Sequence, residues 1–166
     1  MGQERLIKCV DAHSLHWFET EERPIDRVIA LAIASRGEET GEAMVRVGAL
    51  DRNAVRRVIY LTARHLKYKC HITNSYGEKI ALAVLHEYMR PNCIHCGGKG
   101  EAFHKGRATT RCPECEGTGK HRYSDSDRTA LIGGNNYNEK AYELALAYIR
   151  DAMVNIRRKA DARLDD

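Results

Sequence analysis

Residues 93 to 119 contain Cys93-Ile-His-Cys96-Gly-Gly-Lys-Gly100, fifteen residues between Cys96 and Cys112, and then Cys112-Pro-Glu-Cys115-Glu-Gly-Thr-Gly119. A CxxC pair places two sulfurs on one tight turn, and two such turns facing each other complete a tetrahedral thiolate shell around zinc. Each pair runs on into the same C-x-G-x-G ending, in which glycines permit positive φ and let backbone N–H groups approach the sulfurs. Cys93, Cys96, Cys112 and Cys115 are therefore read as the ligands of one structural zinc. Four sulfurs fill the coordination sphere and leave no position for water or substrate, which argues for a scaffold rather than an enzyme. Paired disulfides, bound iron or a redox CxxC are the alternatives, each less suited to a cytosolic chain without a thioredoxin-like context. His95, His104 and His121 lie near enough to replace a ligand or touch phosphate, but with four cysteines available they read as exposed loop residues.

Outward from the cysteines, residues 91–122 are rich in Gly, Cys, Lys, Arg and Thr and too poor in aliphatics to form a core of their own. Bound metal contributes on the order of 10 kcal/mol to such a segment. The flanks differ. Pro24 suits a helix start, with Ile25, Val28, Ile29, Leu31, Ala32 and Ile33 as a buried run before Gly37. A short helix is expected at Ala43 to Val47. Asp51 can cap a longer helix whose Val55, Val58, Ile59, Thr62 and Leu66 follow helical spacing. Asn74 or Ser75 is the expected N-cap of the next, with Ile80, Ala81, Val84, Leu85 and Tyr88 inside and an end near Pro91.

After Ser124, helices are expected over Asp125 to Ile132 and from Asn138 to about Leu164. Ala141, Leu144, Ala145, Tyr148, Ile149 and Met153 form the apolar face of the second. Arg157, Arg158, Lys159 and Arg163 at its end suit the negative end of the helix dipole. The expected architecture is mostly α: a helical body over residues 1–90, a zinc ribbon inserted at 91–122, and a helix-turn-helix-like pair over 123–166 packing on the body.

The chain has 166 residues, 43% hydrophobic, 30% charged and only 7% aromatic, which suits a globular protein with an aliphatic core. Its net charge of +4 is modest, but between Arg90 and Arg122 seven Lys/Arg meet three Glu, a surplus equal to that of the whole chain. A second cluster, Arg52, Arg56, Arg57, Arg64, Lys67 and Lys69, is opposed over residues 51–69 by Asp51 alone. Arg52, Arg56, Arg57, Arg64 and Lys67 are candidates for contact with nucleic acid or a protein partner, although solvated basic faces are common.

The helix, Gly133-Gly134-Asn135 turn and helix have the outline of a helix-turn-helix, which would set the start of the second helix in a major groove. A plain antiparallel hairpin fits the same outline. On the DNA reading, Asn135, Asn136, Asn138 and Lys140 lie nearest bases or phosphates, Tyr137 packs on sugar or backbone, and Lys120 and Arg122 hold the phosphate backbone.

The knuckles CIHCGGKG and CPECEGTG, the basic-aromatic HRYS after them and the helix pair that follows resemble the C-terminal half of the lambda-type bacteriophage late-gene antitermination protein Q family, over roughly residues 70 to 160. The knuckles alone also resemble the cysteine-rich domain of J-domain chaperones, which has four knuckles where this chain has two. The first resemblance implies a factor that binds DNA at a late promoter and engages paused RNA polymerase carrying a σ factor. It would then stay with the elongating enzyme at the RNA exit channel, near nascent RNA, and suppress pausing and termination. It assigns the four cysteines to zinc and residues 125–150 to DNA recognition. The rivals are a zinc-ribbon regulator that does not travel with polymerase and a chaperone-like zinc module.

The first residues carry charges without a long apolar core, and no run approaches the roughly 20 apolar residues a membrane span needs. The expected location is the cytoplasm of a host bacterial cell. Cys9 and Cys70 lack partners at metal spacing and read as small buried apolar residues.

Overall fold

The structure, a computed structural model, describes residues 24–49, 51–102, 110–134 and 137–164. Among these, the helices are α1 (Pro24–Ala34), α2 (Glu39–Gly48), α3 (Arg52–Cys70), α4 (Asn74–Met89), α5 (Asp125–Ile132) and α6 (Glu139–Leu164). Two short strands, β1 (Glu101–Ala102) and β2 (Thr110–Arg111), form an antiparallel pair between α4 and α5. The expected mostly helical architecture is what is found. No helix among the described residues is long and apolar enough to cross a membrane.

Local chemistry sets the helix ends. Asp51 accepts hydrogen bonds from the N–H groups of Asn53 and Ala54, satisfying donors that the first turn of α3 leaves open. At α4 the cap is Thr73, whose hydroxyl takes the Tyr76 N–H, one residue before the expected Asn74. Ser124 and Asp127 form a reciprocal capping box on α5, and Gly133 closes that helix in the left-handed region at φ 77°. Asn138 Oδ1 accepts from Ala141 N–H at the start of α6.

The predicted apolar positions of α3, Val55, Val58, Ile59, Thr62 and Leu66, are all buried. They meet Ile80, Ala81, Val84 and Leu85 of α4 and Ala141, Tyr142, Ala145, Leu146, Ile149 and Met153 of α6 in one core. α3 and α4 are the most extensively packed pair, and Gly77 lets them close: a Cβ there would lie 3.4 Å from Ala63. α6 runs along α1, α2, α3 and α4, so it is a central element. Its buried face is wider than expected and includes Tyr142, Leu146, Ile156 and Ala160, while Leu144 and Tyr148 are only half-buried.

The opposite correction applies to α1. Ala30, Leu31 and Ala34 pack on Ile156 and Ala160, but Ile29 and Ile33 are 52% and 40% exposed. Among the described residues α1 lies chiefly on α6 with Val45 of α2 beside it, and a short helix buries the stripe that faces its neighbours. Cys70 is half-buried against the core, and Cys9 lies outside the described residues.

Candidate metal centre and the basic surfaces around it

The four cysteines converge. One sulfur from each of Cys93, Cys96, Cys112 and Cys115 lies within 4.8 Å of the others, a set that can hold a metal ion. Cys93, Cys112 and Cys115 are buried and Cys96 is partly exposed, so the cluster forms a small core of its own, separate from the helical one.

The two knuckles are related by an offset of nineteen residues, and their contacts are reciprocal. Gly100 N–H donates to Cys96 Sγ and Gly119 N–H to Cys115 Sγ, both at 3.2 Å. Cys93 N–H donates to Gly119 C=O and Cys112 N–H to Gly100 C=O, both at 2.8 Å. The pairing of Glu101 with Arg111 in β1 and β2 is matched by a bridge between Lys120 and Asn92. The segment is therefore a pseudo-twofold unit in which each half donates to its own sulfur and accepts from the other half's cysteine.

Glycine is required where the halves meet. Gly100 (φ 76°) lies against the Gly117 carbonyl and Gly119 (φ 70°) against the Gly98 carbonyl, and a Cβ at either would overlap that oxygen. At the preceding pair the demand relaxes. Gly97 (φ 59°) faces open space, and Glu116 adopts the equivalent left-handed conformation at φ 49°.

The clustered thiols do not titrate alike. Burial pushes the Cys115 thiol up, but the Gly119 N–H and the sulfurs of Cys112 and Cys96 outweigh it and bring it to about 7. Cys112 receives backbone N–H groups from Cys115 and Glu114 that act to lower it, yet burial and the neighbouring sulfurs push it up to about 11. Four thiolates this close repel one another, and a cation among them removes that penalty. The donor set and its N–H donors fit a thiophilic metal of tetrahedral preference.

The unit joins the body through its two ends. His121 N–H donates to Pro91 C=O at 2.8 Å beside the Asn92–Lys120 bridge, so the chain leaves and returns at one place. Tyr123 sits in that joint, its hydroxyl donating to Arg90 C=O, with His121 edge-on at 4.3 Å and His86 at 6.3 Å between ring centroids.

Arg128 then fixes α5, a role the sequence reading missed. Its guanidinium holds Glu87 of α4 through two bonds of 3.0 and 3.1 Å. It also reaches Tyr137 Oη at 3.2 Å and Glu143 at 2.8 Å, and it lies 4.8 Å from the centre of the Tyr142 ring. Tyr142 Oη donates to Glu87 at 3.0 Å. Arg128 and Glu87 are only 16% and 11% exposed, so this is a nearly buried, multiply satisfied ion pair. No local motif marks partners forty-one residues apart.

The residues expected to face DNA separate into groups. Lys120 and Lys140 are exposed. Arg122 is exposed and paired with Glu116 at 3.0 Å. Asn138 is occupied as a cap, and Tyr137 is half-buried, edge-on to Tyr142 with its hydroxyl on Arg128. Asn135 and Asn136 lie outside the described residues. α5 packs chiefly on α4, and its tie to α6 runs through Arg128.

In the second basic cluster, Arg52, Arg56, Arg57, Arg64 and Lys67 are all exposed on α3, as its apolar stripe requires. Arg57 and Arg64 share Glu39 of α2, at 2.9 and 3.3 Å. Comparison with known protein families, with curated proteins and with solved structures finds no match to this chain.

Proposed function

We propose that the chain is a nucleic-acid-directed transcription factor of the antiterminator type. In this reading one structural zinc on Cys93, Cys96, Cys112 and Cys115 holds a basic unit against a helical body. The observation that carries the metal part is the closed, reciprocal four-sulfur cluster with an N–H donor on one sulfur of each knuckle. Zinc bound there would supply cross-linking of the two knuckles and no open coordination position for hydrolysis.

The transcriptional part rests on the resemblance of the knuckles and following helices to lambda-type Q proteins. Exposed Lys120 and Arg122, at the junction of the unit with α5, support it, as does exposed Lys140 at the start of α6. These residues would anchor promoter DNA, and RNA polymerase carrying a σ factor would be the lasting partner. Lys140 stands in the first turn of α6, whose inner face is buried in the body, a placement that suits a phosphate anchor.

The test is a transcription assay on a template with the promoter, its pause site and a downstream terminator. Readthrough should rise with the metal-loaded chain and stay attached to the polymerase after it leaves the promoter. No increase in readthrough removes the antitermination reading; DNA binding that persists without it leaves a promoter-bound regulator. The chaperone-like rival has one structural support, Ile94, 80% exposed on the first knuckle. A single apolar side chain offers little surface to an unfolded chain.

A further inference from the structure

The solvent face of α3 combines two kinds of side chain that the promoter reading does not use together. At 100° per residue, Asn53, Arg56, Arg57, Tyr60, Arg64, Lys67 and Tyr68 fall on one arc opposite the buried stripe. All are exposed, and none is acidic. From Asn53 to Tyr68 the arc extends along about 22 Å of helix.

Tyr60 is 51% and Tyr68 73% exposed, among the largest apolar surfaces the described residues leave in water. The guanidinium carbons of Arg57 and Arg64 lie 5.7 and 5.8 Å from the centre of the Tyr60 ring, so cations and aromatic faces interleave along the helix. Glu39 of α2 pairs with this face, and Glu42 lines a cavity with Asn53 and Arg57 at its N-terminal end. The pairs of Glu39 with Arg57 and Arg64 are about half exposed, and such pairs are weak enough to exchange for phosphate. Arg56 and Lys67 have no carboxylate partner among the described residues.

A cationic track alone suits any polyanion. Exposed ring faces between the cations narrow the choice, because unpaired bases present π-faces that a duplex hides within its stack. We propose that the outer face of α3 binds a single-stranded nucleic acid, with phosphates on Arg56, Arg57, Arg64 and Lys67 and bases stacked on Tyr60 and Tyr68. The face lies on a different element from Lys120, Arg122 and Lys140, so the inference goes beyond promoter binding and does not depend on it. RNA and single-stranded DNA share this chemistry.

The experiment is fluorescence anisotropy of the metal-loaded full chain with labelled oligo-uridine, oligo-thymidine and an unrelated duplex, each of about 16 nucleotides per strand. Tyr68→Ala should weaken both single strands at least about fivefold, the low end of what one stacked base contributes, and leave the duplex unchanged. Tyr68→Phe should keep the parental affinity. Replacing Arg56 and Lys67 together by Ala should lower the salt dependence of single-strand binding by about 0.7 per cation in the log–log slope. The tighter of the two single strands identifies the source.

Single-strand affinity within about twofold of parental in Tyr68→Ala, a loss shared equally by the duplex, or no binding of any oligomer would overturn the proposal; the twofold limit lies below one stacked base. Tyr68 is mostly solvent-exposed, so its variants keep the core intact. Promoter-duplex binding and readthrough measured on the same Tyr68→Ala chain separate a failure here from a failure of the transcriptional reading.

Discussion

The helical body and the four-cysteine unit reach order by opposite means. In the body, α3, α4 and α6 interlock through side chains such as Leu66, Ile80, Leu146 and Ile149, all buried to within a few per cent. In the unit, the described residues between 92 and 120 bury little beyond the cysteines, Gly100, Ala102 and Gly119, and backbone groups do the organising: N–H to sulfur, N–H to carbonyl, glycine against glycine. A core of aliphatic side chains tolerates loss of one contact at a time. A shell of four ligands does not, since every ligand closes the same ring of contacts.

The largest effect should follow from breaking the shell. Cys112→Ser, or chelation of the native chain, should abolish metal binding and open residues 92–120, removing a contribution on the order of 10 kcal/mol from that unit. Hydrogen exchange should show the unit exposed while α3, α4 and α6 stay protected. One retained zinc per chain in Cys112→Ser by metal analysis, or collapse of the helical signal on chelation, would contradict the division.

The next effect belongs to the joint. Arg128→Ala leaves Glu87 nearly buried without its partner and should cost about 3 kcal/mol in urea unfolding. Replacing both residues, Arg128→Met with Glu87→Leu, should recover much of that loss, because two desolvated charges disappear together. Metal content should remain at one per chain in both variants.

Within the unit the glycines can be ranked. Gly119→Ala should reduce metal affinity sharply, since its Cβ would overlap the Gly98 carbonyl at a positive φ. Gly97→Ala, facing open space at a position whose counterpart is Glu116, should cost only about 1 kcal/mol. Competition with a chromogenic chelator measures both, and equal losses would refute the reciprocal packing.

The smallest effect concerns acid. Asp51 is held below the ordinary carboxylate value of 3.8 by the Arg46 side chain and by backbone N–H groups of α3, and Asp127 by the Ser124 hydroxyl and N–H. A depressed carboxylate contributes stability that is present in full above its unfolded value and lost as pH falls through the folded one. Thermal unfolding followed below about pH 4 should therefore fall less steeply in Asp51→Asn and Asp127→Asn than in the parent.

These contrasts also explain what the sequence revealed. Helical spacing at Val55, Val58, Ile59, Thr62 and Leu66 marked the inside of α3, because one periodicity sets both the stripe and the burial. The cysteines announced their cluster by spacing alone. Asp51 matched its expected cap, whereas Thr73 displaced Asn74 by one residue, a choice between neighbours with the same chemistry. Ile29 and Ile33 misled because helical apolarity records what can be buried, while the number of packed neighbours decides what is.

Arg128 and Glu87 were invisible because two ordinary charged residues become partners only after α4 and α5 are brought together. The nineteen-residue offset was present in the sequence, since Cys93, Cys96 and Gly100 recur as Cys112, Cys115 and Gly119. Applied to the flanking residues, it also maps Asn92 onto Arg111 and Glu101 onto Lys120, and so carries the Asn92–Lys120 bridge onto the Arg111–Glu101 strand pair.

The hydrogen bond from His121 to Pro91 and the bridge beside it make the unit a side branch whose two ends meet at one doorway. For the helical body, about thirty residues of chain then close with little more entropy loss than a short turn, because the doorway fixes the distance between the ends whatever lies beyond it. Such a branch can be lengthened, shortened or exchanged for another metal knuckle without re-registering α4 against α6. Its surface is thus free to diversify while the body that carries it stays the same.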